Sequence, residues 1–162
     1  MSIELKLIFS MQFVASMAYL QILPFYPSFL RLKKIQPEVL NYMMSVFSFA
    51  VIITSVLTGK FLLKKIKRID GCYIGSVLII VNIMGLGIMD KITNNTFVIT
   101  MSMVLQAIGG IGNGICATSA LAIISSCKKN RQLYIGYWEI MSGLGTLAGP
   151  TIGAGFYELG GY

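Results

Sequence analysis

The chain has 162 residues, 56% of them hydrophobic and only 12% charged, with 13 Lys+Arg against 6 Asp+Glu and no histidine. Soluble domains carry about 25% charged residues. This composition, with a mean hydropathy of +0.77, therefore excludes an ordinary soluble globule and reads as an integral, multi-pass membrane protein. The net charge of +7 does not point to nucleic acid, because the bases cluster in short segments between apolar runs. Bases so placed act as topology determinants, which stay on the cytoplasmic side.

A spanning helix needs about 20 mostly apolar residues. The first run that qualifies is 5–30, with Pro24 and Pro27 near its far end. It exceeds the ~7–15-residue core of a secretory signal and no cleavage signal follows it, so it reads as a retained span. Arg31, Lys33 and Lys34 come next. The second run is 40–63; Lys60 closes it, and Lys64, Lys65, Lys67 and Arg68 follow. The third, 72–89, is the shortest and leads to Asp90 and Lys91. The fourth, 97–126, is long and rich in small residues, and Lys128, Lys129 and Arg131 follow it. The fifth is 133–156. Five transmembrane helices are thus predicted in an all-α membrane protein. With the N-terminus in the cytoplasm, nine bases lie inside and four outside, which is the sense the positive-inside rule requires. Whether that membrane is the plasma membrane or a vesicle membrane stays open.

Polar groups inside these runs are the candidate site residues, because such groups at membrane depth seek partners or water. Gln12 and Gln21 lie in the first span, Gln106 and Asn113 in the fourth. Glu139, in the fifth, is the acid placed clearly within a span. A charge at the bilayer centre costs about 2.5–3.5 kcal/mol on insertion scales, so it faces a cavity or a partner. Glu139 would suit a cationic solute or a proton, and Gln21 and Asn113 rank behind it. Cys72, Cys116 and Cys127 lack metal-ligand spacing and read as small apolar fillers. Without histidine, paired carboxylates or a nucleophile motif, neither a metal centre nor an enzyme is expected, and no cofactor is expected either. Gly112-Asn113-Gly114-Ile115-Cys116-Ala117 matches a dinucleotide fingerprint by letter. It lies inside a helix-length apolar run, however, where Gly110 and Gly114 form a small-xxx-small packing face instead. Tyr26, Phe29, Tyr42, Tyr73, Tyr134, Tyr137 and Trp138 lie near span ends and fit interfacial belts.

The fifth span carries the most specific pattern: Gly136, eight residues, Gly145, three residues, Gly149-Pro150, two residues, Gly153. In a soluble helix a Gly-Pro pair is a defect, but neighbouring helices can re-satisfy the freed backbone groups in a membrane. This spacing resembles the antiporter signature of the major facilitator superfamily, with Ala154 where the family has a final glycine. Gly59 followed by Lys64, Lys67 and Arg68 resembles that family's loop signature between spans two and three, with Leu63 in place of its acid. Met103 to Gly109 resembles the fourth-helix signature, with Met103 where the family has arginine. Within the superfamily, Trp138-Glu139 before Gly143-Leu144-Gly145 looks most like the vesicular amine and polyamine branch.

The resemblance implies the incomplete N-terminal six-helix domain of a transporter, covering 1–162. It implies a secondary active carrier of a small organic solute, an antiporter working by alternating access. Its partners would be the lipid bilayer, the solute, and a missing C-terminal half or another subunit. The abrupt stop at Gly160-Gly161-Tyr162 fits a fragment. The competing expectation is a non-transporting membrane assembly protein whose glycine helices pack against another subunit.

Overall fold

A computed structural model describes residues 3–22, 26–36, 38–89, 92, 94–127 and 130–160. Pro24, Asp90, Lys91, Lys128 and Lys129 of the reading above fall outside these residues, as do the side chains of Gln21 and Phe29. The described residues form α1 (Ile3–Ile22), α2 (Tyr26–Leu32), α3 (Glu38–Lys60), a 3₁₀ turn (Leu62–Lys64), α4 (Arg68–Ile88), α5 (Asn95–Ser126) and α6 (Arg131–Gly160), with no strand among them. The all-α membrane architecture follows from this order.

Among the described residues the first run holds two helices, α1 and α2. Pro27 falls in the first turn of α2, where a missing N–H costs nothing. Leu32 ends α2 through paired bonds, Lys34 N–H to Arg31 O at 2.9 Å and Ile35 N–H to Leu30 O at 2.9 Å. They place Lys34 at φ 56°, the left-handed position that glycine usually fills in this cap.

Three helical stretches are long and apolar enough to cross a membrane: Glu38–Lys64, Arg68–Ile88 and Asn95–Ser126. A shorter apolar stretch, Leu5–Leu20, lies in α1. At 30 residues α6 is long enough, but its glycines, threonines and Glu139 dilute its apolar character.

The chain divides into two compact units, Met1–Phe29 with Ile124–Tyr162, and Leu30–Ile123. Within the second unit α5 is the central element, and each of two faces receives another helix. Gly110 and Gly114 meet α3: a Cβ at Gly110 would lie 2.5 Å from Phe47 O, and one at Gly114 would lie 3.0 Å from Val51 O. Farther along, Thr118 lies beside Gly59, so α3 and α5 run parallel. Gly109 and Gly112, about 100–160° around the helix from Gly110 and Gly114, meet α4. There a Cβ at Gly75 would lie 2.5 Å from Gly112 O and 2.6 Å from Cys116 Cβ, while Gly85 faces Leu105. Positions along α4 rise as those along α5 fall, so this pair is antiparallel.

The outward residues of α3 and α4 are large and apolar, including Phe49, Ile52, Val56, Val77, Ile80 and Met84. The inward side of α4 carries Gly71, Cys72, Gly75, Asn82 and Leu86. Lipid tails are as apolar as leucine, so helices in a bilayer gain by bringing small residues and backbones together rather than by burying bulk. Cys72 and Cys116 are buried free thiols on this seam, as small fillers should be. The nucleotide fingerprint is likewise excluded, since Gly112 and Gly114 are spent on two different helix neighbours.

At the ends of the second unit, side chains reach backbone carbonyls. Lys33 Nζ donates to Ile92 O at 2.6 Å, and Asn95 Nδ2 returns a bond to Lys33 O at 3.0 Å. One of the four bases counted outside is therefore engaged in holding two loops together.

Gly75→Ala should destabilise the protein by about 1–3 kcal/mol, the usual range for overpacking, because backbone blocks the new methyl. Gly87→Ala should be neutral or slightly stabilising, since a Cβ at Gly87 meets nothing within 4 Å. Reversible SDS unfolding of both variants, read by helical circular dichroism, checks the pair.

Candidate transport helix and its surroundings

The Gly-Pro pattern lies wholly within α6, and Pro150 is an interior residue of that helix. Proline removes one backbone bond and crowds the preceding turn. Nearby hydroxyls bond back to the helix on both sides of it. Thr146 Oγ1 donates to Ser142 O at 2.8 Å and Thr151 Oγ1 to Leu147 O at 3.4 Å. Such back-bonding removes the hydroxyl's need for water at membrane depth.

The five motif residues do not share one surface. Gly145, Gly149 and Gly153 are buried, at four-residue spacing along one face. That face meets α1. A Cβ at Gly145 would lie 2.5 Å from Phe13 O, 2.8 Å from Ser16 Cβ and 3.1 Å from Met17 N. Ser142, one turn earlier, brings its Oγ within 3.3 Å of Ser16 Oγ, which also accepts from Gln12 Nε2 at 3.3 Å. Phe9 closes the same seam against Tyr134 and Tyr137, with ring centroids 6.4 and 6.1 Å apart. The contacts advance together along both helices, so α1 and α6 are parallel.

Gly136 is exposed, and a Cβ there would meet nothing within 4 Å; the same holds for Gly143. Gly136 precedes Gly145 by nine residues, about a half-turn out of phase. Glu139 is exposed and shares this open side with Gly136 and Gly143 by register. Half-buried Pro150 falls there too. The surface of the glycine-proline motif is thus split. Its closely spaced glycines are already engaged with α1, and its open part carries Glu139.

Trp138 corrects the interfacial-belt reading. It is 4% exposed, because it stands seven residues before Gly145 and so falls on the face of α6 that meets α1. Tyr26 is also buried, whereas Tyr42, Tyr73 and Tyr137 are exposed as a belt would require.

The remaining candidates lie on other elements. Asn113 is half-buried on α5. Gln106, seven residues earlier on the same face, is buried, and its Oε1 has no hydrogen-bond partner among the described residues. Gln21 ends α1, with a side chain outside the described residues. In the loop, Gly59, Lys64, Lys67 and Arg68 are all exposed. A Cβ at Gly59 would make only ordinary contact with Thr118, at 3.8 Å. Arg68 Nη1 donates to Ala122 O at 3.0 Å, near the C-terminal end of α5, where a cation is favoured by the helix dipole.

Sequence reasoning missed three polar residues. Asn82 is buried and donates from Nδ2 to Leu105 O at 2.6 Å, and a Cβ at Gly109 would strike its amide group. Ser16 and Ser142 are the other two. Their signal was available: Ser142 lies three residues before Gly145, and Asn82 seven after Gly75, each in step with a glycine face.

A Ser16→Cys, Ser142→Cys pair should form a disulfide on mild oxidation in the membrane, and neither single variant should cross-link to the other helix. Adding Gly145→Leu should abolish the bond. Gel mobility after insertion of a protease site between α5 and α6 reads both results.

Comparison with known sequences agrees with this architecture. The sequence model of the Major Facilitator Superfamily matches residues 8–162. The mouse MFS-type transporter SLC18B1 is 26% identical over 158 residues, covering 94% of this chain and 33% of the relative. The human MFS-type transporter SLC18B1 is 22% identical over 151 residues, covering 90% of this chain and 32% of the relative. The chain thus spans about a third of the length of these relatives. No solved structure matches it. Apolar helices built around small-residue seams, a glycine-proline sixth helix and a match over nearly the whole chain lead to one assignment: the chain belongs to the Major Facilitator Superfamily.

Proposed function

We propose that the chain forms part of a secondary active carrier that moves a small organic solute by antiport. Family membership carries the transporter reading and favours it over a non-transporting assembly protein. The relatives are named as transporters. The antiport reading is carried by the glycine-proline signature of α6. Both rest on the protein of which these helices are a part, since alternating access needs two helical halves around a site near the midplane.

In this proposal α1 and α6 move as one body. Their seam is closed at Gly145 by backbone and bridged by Ser16 and Ser142, which leaves little freedom for one helix to slide on the other. The moving surface is then the open side of α6, where Gly136 and Gly143 leave room for a neighbour or a solute. Glu139 on that side would attract a cation or carry a proton. Separately, within the second unit, Gln106 has a buried Oε1 with no partner among the described residues, which suits a solute that donates hydrogen bonds, with Asn113 in support. The N-terminus is proposed to be cytoplasmic. The loop acid of the family is Leu63 here and its fourth-helix arginine is Met103, so the proposal assigns no coupling role to either position.

Uptake of organic cations into vesicles by the protein made from its complete reading frame tests the reading. Glu139→Gln should lower the rate at least about tenfold, the scale expected for an essential charge-handling group. Gly149→Leu should lower uptake through misfolding of the seam, visible as reduced protein in the membrane. Full uptake by a well-expressed Glu139→Gln variant would remove Glu139 from the site.

A further inference from the structure

The junction of α3 and α4, from Lys60 at the end of one to Arg68 at the start of the other, holds five bases in nine residues, Lys60, Lys64, Lys65, Lys67 and Arg68. Its 3₁₀ turn sorts them outward. Leu62 and Leu63 are half-buried, and Leu63 Cδ2 lies 3.8 Å from where a Cβ at Gly71 would be. Leu63 therefore faces α4, and Lys64, Lys65 and Lys67 are exposed. Phe61 beside them is 54% exposed, with Lys60 Nζ 5.2 Å from its ring centroid. The turn thus presents an aromatic ring and a ring of ammonium groups at the junction of two helices that are long and apolar enough to span a membrane.

Nothing in the loop neutralises this charge. Leu63 stands where an acid would have done so. Asp70, the nearby acid, is in the first turn of α4, where a carboxylate complements the helix N-terminus. Among the described residues no ion pair joins it to these bases. Arg68 is turned toward α5 through its bond to Ala122 O, which anchors the far end of the loop. The three lysines between Phe61 and Arg68 are exposed, and among the described residues none has an ion-pair partner.

We infer that this turn binds anionic phospholipid headgroups, with Lys64, Lys65 and Lys67 on the phosphates and Phe61 seated at the acyl-headgroup boundary. Fixed bases directly beside a span are drawn to an anionic leaflet, and aromatic rings favour that depth. The inference rests on the cytoplasmic placement of the loop proposed above, because the cytoplasmic leaflet carries the anionic lipid. Leaflet charge would then hold this end of α3 and α4 at a fixed depth while other helices move.

The test uses the purified protein in nanodiscs with equal leaflets of phosphatidylcholine and phosphatidylserine. Spin-labelled lipids report the relative association of each lipid with the protein. The wild type should prefer phosphatidylserine at least about threefold, weakening as salt rises. The variant with Lys64→Gln, Lys65→Gln and Lys67→Gln should show a preference near one, and the same three positions changed to arginine should keep it. Millimolar inorganic phosphate should not compete. Equal association in the wild type, or full preference in the glutamine variant, overturns the inference. Loss of the preference to free phosphate overturns it too and makes the turn a soluble-anion site. Because both leaflets are alike, this result does not depend on orientation. Orientation is read separately by labelling Lys64→Cys with an impermeant maleimide in everted and right-side-out vesicles. Labelling only in the latter overturns the cytoplasmic placement while leaving the lipid result in force.

Discussion

The structure depends on helices whose backbones come close enough to touch. Inside a bilayer the hydrophobic effect does not draw helices together, so dispersion between well-fitted surfaces and a few hydrogen bonds must do so. Dispersion falls off steeply with separation. Glycine is the residue that removes the most separation. In α5 this happens twice, on two faces more than a quarter-turn apart (about 100–160° by register), and each face meets a different helix. In α6 it happens once, where Gly145 admits the backbone of α1. Every other feature of the two units is arranged around these seams. On α3 and α4 many bulky side chains point outward, Phe9, Leu105 and Trp138 fill space beside the glycines, and polar groups on the seams bond across them, as Asn82 does to Leu105 and Ser16 to Ser142.

This constraint also separates what is fixed from what is free to move. A seam closed by backbone has one register, since shifting it by a residue would drive a side chain into a carbonyl. A helix side that has room but no neighbour has no such lock. In α6 the two kinds of surface lie on one helix, and the acid Glu139 sits with the open kind. A carrier needs this combination: bodies that stay rigid, and surfaces between them that can change partner. The division of the glycine-proline motif between a closed and an open side gives its residues two different surroundings, even though their spacing is read as one signature.

Much of this was legible in the sequence. Run length gave α3 to α6 but not the division of the first run into α1 and α2, and the offsets from Gly136 to Gly153 pointed to the family. The half-turn between Gly136 and Gly145 was also in the numbers, because nine residues at about 100° each must put them on opposite sides. What the sequence could not supply was the identity of the neighbour. Gly109 and Gly110 look alike in a chain, yet one meets α4 and the other α3. Trp138 looked interfacial from its position near a span end and proved to be on a buried face. Gln106 and Asn113 were visible as polar residues at depth. That Gln106 keeps an unpartnered oxygen, while Asn82 satisfies itself on Leu105, depends on which atoms packing brings within reach.

Each glycine on a seam holds open space that a facing group occupies. Gly71 and Ser119 test it most directly, because a Cβ at Gly71 would strike the Ser119 hydroxyl, with the other nearby atoms at 3.1 Å or more. The measurement is a double-mutant cycle on unfolding free energy with Gly71→Ala, Ser119→Gly and both together. The account predicts that Gly71→Ala alone destabilises the protein and that Ser119→Gly relieves much of that loss. The coupling should be at least about 1 kcal/mol, within the range seen for residues in contact. Additive effects of the two substitutions would contradict it.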